Sequence, residues 1–163
     1  MTPTMIISAD IKRMLDDAIH AELYASNLYK HIANQVQRLG YLGAMKFFLK
    51  ESEAELDHYQ LHAQFQNDVG CVAKVPMIEA MTGSIKSFSD AMELAYETEL
   101  ELYNNYKDWY SQPSSDPVVQ QSLLQFLELK RTSVGEYGDL LARIQLVDGD
   151  KAGMLLIDQE LGA

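Results

Sequence analysis

The sequence predicts an all-α fold: a bundle of four long helices with one long crossover and a short C-terminal fifth helix. Apolar residues recur at helical spacing in four segments, and each segment is bounded by residues that cap or break helices. One connection, residues 70–86, is long and has no sustained period. With 163 residues, 47% of them hydrophobic, the chain is expected to form one domain over 1–163 with a real core.

Ser8 and Asp10 precede the first stripe, Ile11, Leu15, Ala18, Glu22, Ala25, Tyr29, Ile32 and Val36, which stops near Gly40. After the turn Gly40-Tyr41-Leu42-Gly43, the second stripe runs through Phe48, Glu55, His58, His62, Phe65 and Val69 to Gly70. So short a joint makes these two helices antiparallel neighbours. Pro76 and Gly83 keep the next stretch extended, and a crossover of that length separates this topology from a simple up-and-down bundle. Ser87 or Ser89 caps the third helix, whose stripe is Phe88, Met92, Ala95, Glu99, Leu102, Tyr106 and Trp109. The break falls over residues 112–117, and Asp116-Pro117 opens the fourth helix, because Asp caps free amides and Pro fits the first helical position. Its stripe is Leu123, Phe126, Lys130, Ser133, Tyr137, Leu141 and Ile144. Gly135 and Gly138 each weaken it by about 1 kcal/mol relative to Ala, so close packing or a bend is expected to compensate. Asp148-Gly149-Asp150 turns the chain into a short apolar helix from Met154 to Leu161. No internal repeat or low-complexity tract stands out.

A formal net charge of -11 argues against nucleic acid or an anionic membrane as a partner, since both reward basic surfaces. It suits a protein that attracts cations, although solvation alone also explains an acidic surface. Cys71 is the only cysteine, so an intrachain disulfide is impossible and a reducing compartment is expected. Residues 1–10 show neither a basic start nor a long apolar run, which makes the cytoplasm the expected location.

Glu22, Glu55, His58 and Glu99 each interrupt an apolar stripe. An unpaired ionised carboxylate there is very costly, so something positive must sit among them. In Glu55-Leu-Asp-His58 the carboxylate and imidazole lie one helical turn apart and point the same way, which lets the carboxylate bridge two metals while the imidazole binds one. Such a pair alone occurs on many helix surfaces. Four ligand-type residues from three helices, all on inward stripes, point to a metal pair, and redox-active iron is the reading this pattern favours.

Several segments resemble ferritins. His20-Ala-Glu22-Leu-Tyr24-Ala-Ser-Asn-Leu-Tyr29 resembles the first-helix signature, and Gly43-Ala-Met-Lys-Phe-Phe-Leu with Glu55-Leu-Asp-His58 resembles the second. Glu99 stands at the family's spacing beyond His58, and Gly153-Met-Leu-Leu-Ile-Asp158-Gln-Glu-Leu161 is similar to the short helix that closes ferritin subunits around a four-fold channel. The resemblance covers nearly the whole chain. It implies a ferritin-like bundle, a cage of 24 identical subunits, oxidation of Fe(II) by dioxygen or peroxide, and storage of ferric mineral. Glu22, Glu55 and His58 would bind a first iron, Glu55 and Glu99 a second, and Tyr29 would hydrogen-bond to the site and donate an electron. A haem-containing or rubrerythrin-like relative would carry a second Glu-x-x-His in the fourth helix, where this chain reads Glu128-Leu-Lys-Arg131, so haem is not expected.

The fourth helix departs from that pattern. Lys130 stands where ferritins commonly carry a glutamine beside the second iron, and Ala54, Leu129 and Ser133 stand where many bacterial members place carboxylates for a third. Lys130 either forms a buried ion pair that competes with the second metal or reaches outward and leaves the pair intact. The alternatives are thus a ferroxidase, a storage or shell subunit disabled at the second position by Lys130, and a di-iron oxidase acting on an organic substrate. The terminal helix disfavours the last. His62 is expected to be a bonded core histidine rather than a spare ligand, Cys71 structural, and His20 and His31 without a role.

Overall fold

The structure, a computed structural model, describes residues 1–112 and 116–163. Among the described residues five helices follow one another: α1 Ala9–Arg38, α2 Leu42–Asp68, α3 Phe88–Ser111, α4 Pro117–Val147 and α5 Lys151–Leu161. There is no strand among the described residues. Among the described residues, no helix is long and apolar enough to cross a membrane.

The helix starts follow from side-chain capping of free amides. Ser8 accepts from the Ile11 amide, Ser87 from Asp90, and Asp116 from Val118 and Val119. Ser87 is therefore the α3 cap, not Ser89. Asp150 accepts from the Gly153 amide, so α5 starts at Lys151, three residues before the apolar run that announces it. Residues 113–115, within the expected break before α4, lie outside the described residues. The fourth helix runs unbroken through Gly135 and Gly138. Close packing does not compensate there: a Cβ at 135 would meet nothing within 4 Å, and one at 138 only the Tyr96 ring at 3.8 Å.

Tyr41, at the start of α2, makes no side-chain cap. The cap comes from α5, where the Asp158 carboxylate accepts from the amides of Gly43 (3.1 Å) and Ala44 (2.6 Å). A Cβ on Gly43 would lie 1.7 Å from the Asp158 carbonyl oxygen, so this crossing of α5 over α2 requires glycine. At the other end of α2, Gly70 adopts φ +83°, and a Cβ there would lie 2.4 Å from the Thr4 carbonyl oxygen.

The Ile6 amide donates to the Val69 carbonyl, which places the end of α2 beside the start of α1. The crossover reaches the opposite end, where a His31 ring nitrogen lies 2.6 Å from the Gly83 carbonyl and the Ile85 amide donates to Gln35. His31 thus pins the crossover, a role its sequence position did not reveal. The connection spans the bundle, so α3 runs antiparallel to α1.

Two apolar clusters form the core. One holds Tyr29, Ile32, Phe48, Phe88, Met92 and Tyr137, with Met154 and Ile157 of α5. The other holds Ile7, Leu15, Val69, Tyr106, Leu123 and Phe126. Between these clusters, α1 to α4 each contribute one buried charged side chain: Glu22, Glu55, Glu99 and Lys130 are all at most 3% exposed.

Candidate metal centre

Four helices each deliver one side chain to the polar layer: Glu22 from α1, Glu55 from α2, Glu99 from α3 and Lys130 from α4. His58 joins them from the turn after Glu55, with 15% of its side chain exposed. Placing three carboxylates on inward stripes would be prohibitive without positive charge, and here that charge is a side chain. The Lys130 Nζ lies 2.7 Å from Glu55 Oε2, 3.1 Å from Glu22 Oε2 and 4.0 Å from Glu99 Oε2. His58 Nδ1 lies 2.9 Å from Glu55 Oε2 and 3.5 Å from Glu22 Oε2. The ammonium points inward, closer to the Glu22–Glu55 pair than to Glu99.

These contacts redistribute protons. Burial drives the Glu22 carboxyl upward, but the Lys130 ammonium and hydrogen bonds from Glu55 and His58 outweigh it and hold Glu22 well below the usual carboxylate range. Glu55 lies well above that range, because burial and the Glu22 charge together outweigh the ammonium. Burial lowers the His58 imidazole, yet hydrogen bonds to Glu22 and Glu55 lift it to about 9. Lys130 is held protonated: burial opposes its charge, and Glu22, Glu99 and Glu55 more than compensate.

The donor atoms suit a cation. One ligand atom from each of Glu22, Glu55 and His58 lies within 4.8 Å of the others, and two carboxylates with an imidazole form a set that suits divalent iron, manganese or zinc. Glu99 supplies a further oxygen, Oε2, that is buried and has no hydrogen-bond partner among the described residues. The same cluster therefore offers metal ligands while the ammonium occupies several of their acceptor atoms.

Two tyrosines clasp the layer crosswise. Tyr29 of α1 donates to Glu99 of α3, and Tyr106 of α3 donates to Glu22 of α1. Each tyrosine follows a glutamate of its own helix by seven residues, and the antiparallel run of α1 and α3 crosses the pairs. Burial raises both phenols well above their ordinary value, with Tyr137 and Glu99 adding at Tyr29 and Glu22 adding at Tyr106. Beyond Tyr29, the Tyr137 ring is stacked at 6.4 Å and its hydroxyl donates to Glu51. Beyond Tyr106, the hydroxyl lies 2.6 Å from His62 Nε2, and Phe126 stacks on His62 at 3.9 Å. His62 is thus a bonded core histidine, and burial lowers its imidazole to about 4, so it is neutral.

The sequence pattern placed Glu22, Glu55, His58, Glu99, Tyr29 and Lys130 on inward stripes, and the structure brings all six to one layer. Tyr106 was legible only as a core residue, although the repeated glutamate-to-tyrosine spacing carried the signal. Ala54, Leu129 and Ser133 line an open groove between α2 and α4 with Glu51, Glu128 and Glu136, and this groove reaches Glu55 and His58. His20 is exposed beside Tyr24, and Cys71 is half-buried and unbridged.

The Ferritin-like domain family profile matches residues 12–147. A probable bacterial non-heme ferritin-like protein of Haemophilus influenzae is 24% identical over 159 residues, covering 96% of each chain. A bacterial non-heme ferritin of Bacteroides fragilis is 25% identical over 160 residues, covering 96% of this chain and 99% of its own. An open pore ferritin from Archaeoglobus fulgidus superposes with a TM-score of 0.92 at 22% identity, covering 96% of this chain and 98% of its own, a likeness of fold.

Proposed function

We propose that this chain, which belongs to the ferritin-like domain family, is the subunit of an iron-storage cage whose centre oxidises Fe(II) only after Lys130 has yielded its carboxylates. The observation that carries this reading is the Lys130 ammonium at 2.7 Å from Glu55 and 3.1 Å from Glu22. Fe(II) is the substrate. To bind, it must take those same oxygens and displace a cation that already neutralises them, and His58 must give up its proton to become a ligand. Carboxylates then favour Fe(III), the harder cation, as the electron passes to dioxygen or peroxide. Glu99, bonded to Tyr29, completes a two-iron site once the ammonium has swung away, and Tyr29 is placed to supply an electron. The groove between α2 and α4 is the route by which iron reaches Glu55 and His58.

Assembly into 24 identical subunits is supported by full-length likeness to ferritins and by an α5 helix held to α2 through Asp158. An acidic cytoplasmic cage would draw Fe(II) toward its surface. The ammonium also favours a second reading, a shell subunit that oxidises nothing, since it already provides charge and hydrogen bonds that metal would supply. Anomalous scattering from iron-soaked crystals, with stopped-flow oxidation, separates the two. The wild type should show incomplete occupancy and slow oxidation, Lys130→Gln two irons and faster oxidation, and Glu55→Ala none. Two fully occupied irons in the wild type overturn the gating by Lys130, and an inert Lys130→Gln establishes the shell reading. A monomer or dimer by light scattering would remove the cage.

A further inference from the structure

We propose that Tyr106, with His62 as its hydrogen-bond partner, is a second redox tyrosine, one that delivers an electron and a proton to dioxygen when iron is oxidised beside Glu22. This rests on the proposed oxidation of Fe(II) at the centre. Three observations on the flank away from Tyr29 carry it. The Tyr106 hydroxyl is fully buried and donates to Glu22, a ligand of the iron that the Glu22–Glu55–His58 set would hold. The phenol oxygen is also 2.6 Å from Nε2 of neutral His62, so the ring nitrogen donates to it. Phe126 covers both rings, at 3.9 Å from His62 and 5.5 Å from Tyr106, within an apolar cluster that excludes water.

The need follows from the incomplete iron occupancy expected of the wild type. When one Fe(II) displaces the ammonium from Glu22 and Glu55 and binds there alone, it supplies one electron, which takes dioxygen only to superoxide. A second electron from the phenol completes reduction to peroxide: Fe(II), dioxygen and the phenol become Fe(III), hydroperoxide anion and a neutral tyrosyl radical. The O–H bond of Tyr106 breaks, its proton passes along the existing hydrogen bond to Glu22 and on to the reduced dioxygen, and charge balances. The radical oxygen keeps the hydrogen bond from His62, which stabilises it in place. Tyr29 sits on Glu99, outside the Glu22–Glu55–His58 set, whereas Tyr106 sits on Glu22 within it, so Tyr106 is the phenol in line with that iron.

Rapid-freeze paramagnetic resonance of the assembled protein mixed with Fe(II) and dioxygen tests this. A tyrosyl signal is expected to persist in Tyr29→Phe and to be lost when Tyr106→Phe is added. His62→Leu should shift the signal by removing its hydrogen bond. Fluorotyrosine incorporated at 106 in the Tyr29→Phe protein keeps the hydroxyl, and with it the fold, and should split the signal by fluorine coupling. No radical in Tyr29→Phe, or an unsplit signal from the fluorinated protein, overturns the inference while leaving iron oxidation at the centre intact. If Glu55→Ala oxidises iron as fast as the wild type in the same samples, the centre itself is not the site of oxidation, and this inference falls with that reading.

Discussion

His58 and His62 stand one turn apart on the same face of α2, yet they hold protons in opposite ways. His58 lies among the carboxylates at the mouth of the α2–α4 groove, and hydrogen bonds to Glu22 and Glu55 lift its imidazole to about 9. His62 lies under Phe126 in the second apolar cluster, where burial lowers it to about 4. Only four residues separate a histidine that is charged at neutral pH from one that is not. Both stand on one helix, so the difference comes from what surrounds each level: Glu55 of α2 itself with Glu22 of α1 at one, aromatic rings from α3 and α4 at the other. The polar level is suited to exchange a proton for a metal, and the apolar level to hold one tautomer fixed.

The largest test removes the cation that makes the polar level tolerable. In iron-free protein, Lys130→Gln should cost about 3–5 kcal/mol by denaturant unfolding, because it leaves buried carboxylates unpaired. Added divalent metal should restore more stability to this variant than to the wild type, since binding to the native state adds to it. An unchanged midpoint would mean that the ammonium does not hold the level together.

The apolar level has its own signature. His62 is depressed from its ordinary 6.5 to about 4, so the folded state binds fewer protons than the unfolded state between those values. Stability should therefore fall as pH drops from 6.5 toward 4, by about 3 kcal/mol from this group. In His62→Leu that slope should disappear, moving acid unfolding to lower pH.

His58 predicts the reverse window, with a smaller effect because it is partly open to the groove. Its raised value gives stability that is complete below 6.5 and lost as pH rises through about 9. Denaturation of iron-free His58→Gln should lack this alkaline loss, while metal affinity in the wild type should rise over the same range as the imidazole becomes free to bind. A third position outside both levels serves as control. Gly135→Ala, with nothing within 4 Å of the new methyl, should stabilise the protein by about 1 kcal/mol at every pH.

Much of the architecture is local chemistry and was legible in the residues. Ser8 and Asp116 cap helices with their own side chains, Gly40 and Gly70 adopt positive φ at helix ends, and the stripes assign each inward face. These depend on neighbours within a few positions. Glu22, Glu55, His58 and Glu99 were legible as one layer for a related reason: charges on apolar stripes have nowhere else to go.

Contacts between distant helices were decided only by the tertiary structure. Helical spacing turns Lys130 inward but does not say which carboxylate its four-carbon stem reaches, and the assembled bundle selects Glu55 and Glu22. The cap of α2 comes from Asp158, more than a hundred residues away, and no local pattern shows it. Tyr29 and Tyr106 each bond to the glutamate of the other helix, because α1 and α3 run antiparallel and bring the end of one stripe beside the start of the other. Periodicity in one helix sets direction about its own axis. Distance across the bundle depends on how four such helices pack, and that is where the chemistry of the centre was settled.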